Sequence, residues 1–126
     1  SEFGLRMQKD ETMKATLLNH AVHAGDLYKV KTLVRSGAVQ VDYVDYSNIS
    51  PLHVAATRGF TMIAKFLIDQ GANVNAKDLN GTTPLLEAIK NGHDGVAEAL
   101  VLASAHLGID SVGEYLCKIV SEQNLA

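Results

Sequence analysis

The chain has 126 residues, room for one domain and not two, and its 47% hydrophobic and 20% charged residues exclude a disordered chain. Eleven Lys+Arg against 14 Asp+Glu leave a formal charge of -3, which argues against binding nucleic acid through bulk charge. No run approaches the ~20 apolar residues of a membrane span, so no direct membrane insertion of this chain is expected.

Ser1-Glu2-Phe3-Gly4-Leu5 reads as the remnant of a cloning site, with natural sequence starting near Met7. Residues 1–8 are therefore expected to be a disordered lead, and 9–126 one folded domain. From Thr16 the string TLLNHAVHAGDLYKVKTLVRSGAVQVDYVDY opens a pattern that returns as SPLHVAATRGFTMIAKFLIDQGANVNAKDLNG from Ser50 and as TPLLEAIKNGHDGVAEALVLASAHLGI from Thr83. Gly25, Gly59 and Gly92 stand 34 and 33 residues apart; Pro51 and Pro84, like Asp45 and Asp78, stand 33 apart. The extra residue of the first copy is placed in Val39-Gln40. The units run over 13–46, 47–79 and 80–112, with a partial fourth over 113–126, where Leu116 to Leu125 aligns with Leu85 to Asp94.

Each unit reads as two helices and a loop. Ser50 and Thr83 are helix N-caps, followed by Pro51 and Pro84 at the first helical position, where no backbone donor is needed. Leu52, Ala55 and Ala56 form the apolar stripe of a short first helix, as do Leu85, Ala88 and Ile89. Gly59 and Gly92 sit where that helix stops and the chain reverses, which favours positive φ. Ile63, Ala64, Leu67 and Ile68 have the spacing of a second helix, ended by Gly71-Ala72. No unit has enough apolar surface to fold alone, so stacked neighbours supply the core and the fold is an all-α solenoid. The low aromatic content, 6% with no Trp, suits helices packed closely across small residues.

SPLHVAATRG, GANVNAKDLNGTTPL and the 33-residue period resemble the ankyrin repeat, from about Thr16 to the C-terminus. The resemblance implies three stacked helix-turn-helix repeats plus a truncated fourth, with β-hairpin-like loops projecting at right angles. It implies too that His53 makes hydrogen bonds tying adjacent repeats together, and that His93 has a structural place. Several positions depart from the pattern. Leu17 and Asn19 replace the Pro and His of the first motif, and Leu86 replaces His in the third. The first loop tip, Asp45 to Ile49, lacks glycine, and Asn48 is the residue best able to take a left-handed conformation there. Ser104 replaces the loop glycine of the third repeat, and His106-Leu107-Gly108 replaces Asn-Val-Asn. Leu116, Ile119 and Val120 lack a following second helix to cover them, so a fragment of a longer protein is expected, with self-association through that end.

Catalytic chemistry is not expected. His20, His23 and Asp26 have spacing that would suit a metal, but the repeat register puts the histidines at variable positions of a first helix and Asp26 at the start of a second. Cys117 has no His or Asp spaced to activate it, and as the single cysteine it favours a reducing, cytoplasmic setting. The carboxylates are scattered singly, and no phosphate-binding or dinucleotide loop is present. No cofactor and no metal are expected. Asn75, with Leu67 eight residues before it, resembles the asparagine that ankyrin repeats offer to a 2-oxoglutarate-dependent hydroxylase, although Asn73 replaces the acidic residue favoured nearby.

The family resemblance implies a protein partner held in a concave groove between first helices and loop tips. The candidate partner-binding residues there are His23, Tyr43, Tyr46, Asn48, Arg58, Leu79, Asn80, Glu87, Lys90 and Asn91, with His20, Val54 and Thr57 at further variable positions. Tyr43 and Tyr46 are the most interface-like, since tyrosine is enriched at binding hot spots. GDLYKVKTLVRSGA, DYSNISPLHVAATRGFTMIAKFLI and the Leu-Cys pair of the last repeat are similar to the cytoplasmic ankyrin domain of plant shaker-type, outward-rectifying potassium channels. The ankyrin tail of type I asparaginases has similar third and fourth repeats. The expected function is a non-catalytic protein-binding module, regulatory within a channel; a tail on a soluble enzyme and a stand-alone adaptor are the alternatives.

Overall fold

The structure, a computed structural model, describes residues 2–105. Cys117, His106-Leu107-Gly108 and the partial fourth repeat over 113–126, with the apolar end predicted there, lie outside the described residues.

The described chain forms six helices: α1 Glu2–His23, α2 Leu27–Arg35, α3 Pro51–Arg58, α4 Thr61–Asp69, α5 Pro84–Lys90 and α6 Asp94–Leu102. They pack as three antiparallel pairs stacked side by side. The first helices α1, α3 and α5 make one layer, and the second helices α2, α4 and α6 the other. One core runs through the stack, with Leu18, Leu52 and Leu85 at equivalent positions in the first layer and Ala21, Ala55 and Ala88 where helices cross closely. Val30, Ala64, Leu67, Val96 and Leu100 close it from the second layer. The small residues let neighbouring repeats approach until side chains interlock, which is where a solenoid gains its stability.

The helix boundaries follow local chemistry. Ser50 and Thr83 adopt extended backbone and accept hydrogen bonds from the N–H groups of His53 and Leu86, with Pro51 and Pro84 opening the helices behind them. Gly59 ends α3 at φ 78°. At the glycine-free tip Asn48 takes φ 58°, doing there what Gly81 does at φ 76° in the next loop. The two tips share one hydrogen-bonding device. Asp45 Oδ1 accepts from the N–H groups of Ser47 and Ile49, and Asp78 Oδ1 accepts from those of Asn80 and Thr82. Adjacent loops are tied by the Leu79 N–H donating to Ser47 O and the Asn73 N–H donating to Asp42 Oδ1. The tips are hairpin-like turns, and no β-strand forms among the described residues.

Two expectations are corrected. Residues 2–8, set aside as a disordered lead, are helical and continuous with the first repeat helix. The reason lies at Leu17. Where Pro51 and Pro84 remove a backbone donor, Leu17 keeps one, and Thr16 turns its hydroxyl back to Thr12 O instead of capping a new helix. The extra residue of the first copy is Ala38, ahead of Val39-Gln40. Gly37 and Gly71 make equivalent bonds to Val34 O and Ile68 O, while Val39 donates to Leu33 O as Ala72 does to Leu67 O. Sequence identity pairs Ala38 with Ala72, but it is Val39 that is buried there.

Candidate protein-interaction surface

His53 is buried and joins two repeats. Its Nδ1 accepts from the Ser50 N–H at 3.2 Å and lies 2.8 Å from Ser50 Oγ. That acceptor role puts the ring proton on Nε2, which donates to Thr82 O, 29 residues away, at 2.7 Å. Asn19, its equivalent in the first repeat, donates from Nδ2 to Ile49 O at 3.0 Å and so makes the same inter-repeat tie. Leu86, the third equivalent, is fully buried and fills the place by packing. His93 Nε2 lies 3.0 Å from Thr57 O and bridges the third repeat back to the second. The expected structural roles of His53 and His93 are therefore present.

This frame holds two depressions along the first helices and loop tips. One, of about 500 Å³, is lined by Tyr43, Tyr46 and Asn48 together with Lys9, Glu11, Thr12, Asp42, Val44 and Asp45. Tyr46 is 75% exposed while Tyr43 is half-buried against the core, so the two tyrosines are not equivalent. The second, of about 270 Å³, is lined by His23, Arg58 and Glu87 with Ile49, His53, Val54, Thr57 and Asp78. Glu87 is held in place: its Oε2 accepts from Thr57 Oγ at 3.2 Å and from Asn91 Nδ2 at 3.3 Å. The Arg58 guanidinium lies 5.4 Å from the centre of the Phe60 ring.

The remaining candidates border neither depression. Leu79 is 69% exposed at the second tip, and the Asn80 N–H turns inward to Asp78. Lys90 ends α5, and the Asn91 side chain folds back onto Glu87 O. Sequence reasoning missed Ile49, Asp78 and the Lys9–Glu11 stretch of α1 as lining residues. In the sequence Ile49 reads only as part of the first loop tip, and the helical continuation of α1 over that tip has no signal beyond the absent proline.

Asp26, the carboxylate of the His20/His23 spacing, accepts from the Lys29 N–H as the cap of α2. No cluster of three His, Cys, Asp or Glu side chains able to hold a metal occurs among the described residues. The Asn75 N–H donates to Asn73 Oδ1, so the Asn-Val-Asn loop is shaped by its own side chain. No helix among the described residues is long and apolar enough to cross a membrane.

Residues 18–111 match the family model described as ankyrin repeats (3 copies). The chain belongs to the ankyrin-repeat family. Ankyrin repeats are protein-interaction modules. The human ARF GTPase-activating protein GIT1 is 36% identical over 100 residues, covering 79% of this chain and 13% of that protein. The Arabidopsis thaliana potassium channel SKOR is 45% identical over 78 residues, 62% of this chain and 9% of the channel. An L-asparaginase of Dirofilaria immitis is 35% identical over 107 residues, 83% of this chain and 18% of the enzyme. The chain thus spans less than a fifth of each relative. Among solved structures, the human ASB11 ankyrin repeat domain superposes with a TM-score of 0.67 at 35% identity, over 71% of this chain and 40% of that one. The similarities to plant potassium channels and to an asparaginase were legible in the sequence; the one to GIT1 was not foreseen.

Proposed function

We propose that this ankyrin-repeat chain is a non-catalytic module that holds a segment of a partner protein along its concave side, across the two depressions. The observation that carries the reading is the pairing of an exposed aromatic, Tyr46, with a neighbouring recess lined by the apolar Ile49 and Val54 and the charged Arg58, Asp78 and Glu87. An aromatic anchor beside a recess with a polar rim is the composition of a binding hot spot. His23, Tyr43 and Asn48 belong to the same surface, and Leu79, Asn80, Lys90 and Asn91 form its outer margin.

The parent we favour is a plant-type potassium channel, in which the module would face the cytoplasm and regulate the channel. Support comes from the 45% identity to SKOR, the highest among the relatives described above. The asparaginase-like parent is the second reading, favoured by the longer stretch, 83% of this chain, that matches the enzyme. The test of the binding reading uses a partner isolated on the immobilised chain and measured by titration calorimetry. Tyr46→Ala and Arg58→Glu are expected to weaken binding about tenfold or more with the unfolding midpoint nearly unchanged. Unaltered affinity in both variants contradicts the concave site.

A further inference from the structure

The outward faces of the second helices change sign along the stack. α2 carries Lys29, Lys31 and Arg35 and no acidic residue. α4 carries one charge of each sign, Lys65 and Asp69. α6 carries Asp94 and Glu98 and no basic residue. The repeat register makes Lys31, Lys65 and Glu98 equivalent, so the sign reverses at a single position from one end to the other. Exposed apolar groups share this side: Tyr28 is 82% and Leu102 80% exposed, with Met62 between them. Tyr28, Lys31 and Arg35 frame a depression of about 390 Å³ on α2. A second, of about 260 Å³, lies between α4 and α6, bordered by Lys65, Asp69, Ala99 and Leu102. Within the chain Lys31 and Arg35 lie over the Phe66 ring, at 5.8 and 5.4 Å from its centre, and not against a carboxylate.

We propose that this face is where a second copy of the chain docks, α2 of each copy lying on the α4–α6 surface of the other. The chain carries its own complement. The basic end and the acidic end lie on one face, separated by the near-neutral α4, and a two-fold axis along α4 brings each end of one copy onto the opposite end of the other. Every contact is then made twice, as closed two-fold pairing requires. In this register Tyr28 lies over Gly95 of the other copy, Lys31 over Glu98 and Arg35 beside Leu102, so apolar groups supply attraction while the charges set orientation. α4 lies between α2 and α6 and packs on both, which keeps the basic and acidic helices apart within one chain. The concave side stays open to a different partner in this arrangement.

Sedimentation velocity of the whole chain, from micromolar to millimolar concentration, tests the proposal. A dimer is expected at low salt and weakens as salt is raised, because exposed charges are screened. Lys31→Glu with Arg35→Glu makes both ends acidic, and Asp94→Lys with Glu98→Lys makes both basic. Each double variant is expected to self-associate about tenfold or more weakly than the parent. An equimolar mixture of the two is expected to form a 1:1 pair, since each α2 then again faces an α6 of opposite charge. Far-UV circular dichroism verifies that both variants are folded, and Arg58→Glu, on the other side, is expected to leave association unchanged. A parent chain that stays monomeric throughout, double variants that associate as the parent does, a mixture that stays monomeric, or dissociation by Arg58→Glu each overturns the proposal.

Discussion

Removing the His53 imidazole probes the joint between the second and third repeats. Two backbone groups bond to it: the Ser50 N–H, which Nδ1 accepts, and Thr82 O, which receives the Nε2 proton and also accepts from the Asp78 N–H. Both residues are buried, so the Ser50 N–H finds no water when the ring is gone, whereas Thr82 O keeps the bond it accepts from the Asp78 N–H. An orphaned buried polar group costs about 1–3 kcal/mol, and truncation leaves a cavity besides. His53→Ala is therefore expected to lose about 3–5 kcal/mol, a large fraction of the 5–15 kcal/mol by which a domain is typically stable. His53→Leu keeps most of the volume and is expected to lose about 1–3 kcal/mol, because the Ser50 N–H is left orphaned. Asn19 supplies the contrast. It makes one such bond, to Ile49 O, and its buried Oδ1 has no hydrogen-bond partner. Asn19→Leu removes that orphan along with the bond, so a change within about 1 kcal/mol is expected. Urea unfolding followed by far-UV circular dichroism measures all three. A loss under about 1 kcal/mol for His53→Ala, or equal losses at His53 and Asn19, refutes the reasoning.

Gly59 and Gly92 both have positive φ, 78° and 74°, but a Cβ on Gly59 would stand 2.5 Å from His93 Nδ1, whereas nothing lies within 4 Å of one on Gly92. Gly92→Ala is expected to cost about 1–2 kcal/mol for the left-handed backbone alone, and Gly59→Ala clearly more, both read from urea midpoints. Asn48→Gly is expected to be neutral or slightly stabilising and Asn48→Val to cost about 1–2 kcal/mol, since only the valine is strained at φ 58°. Leu67→Ala, in the middle of the core, is expected to lose about 2–5 kcal/mol and lower the thermal midpoint by several degrees in calorimetry.

The architecture was legible because each repeat writes its boundaries in residue types with a physical role. Ser50-Pro51 and Thr83-Pro84 start helices, Gly59 and Gly92 end them, and the alternation of leucine and alanine gives the buried faces. Even the glycine-free tip could be read, since Asn48 alone in its turn tolerates the conformation found. The extension of α1 was not legible. It follows from a proline that is absent, and absence of a breaker is a weak signal beside the presence of a cap. Ala38 was misplaced for a related reason: identity aligned two alanines, while burial and hydrogen bonding aligned Val39 with Ala72. The surface was legible only in outline. Repeat register says which positions project, and so named Tyr46, Arg58 and Glu87. It does not say that Thr57 would hold Glu87, or that Ile49 would line a recess with it, because those are contacts between repeats.

A photo-crosslinking amino acid placed in turn at position 46, 58 or 65 tests the central claim, that a protein partner lies along the concave side. With purified partner present, positions 46 and 58 are expected to give crosslinks to it, and position 65, on the outward face of α4, none. Crosslinking to the partner from position 65, with none from 46 and 58, contradicts the account.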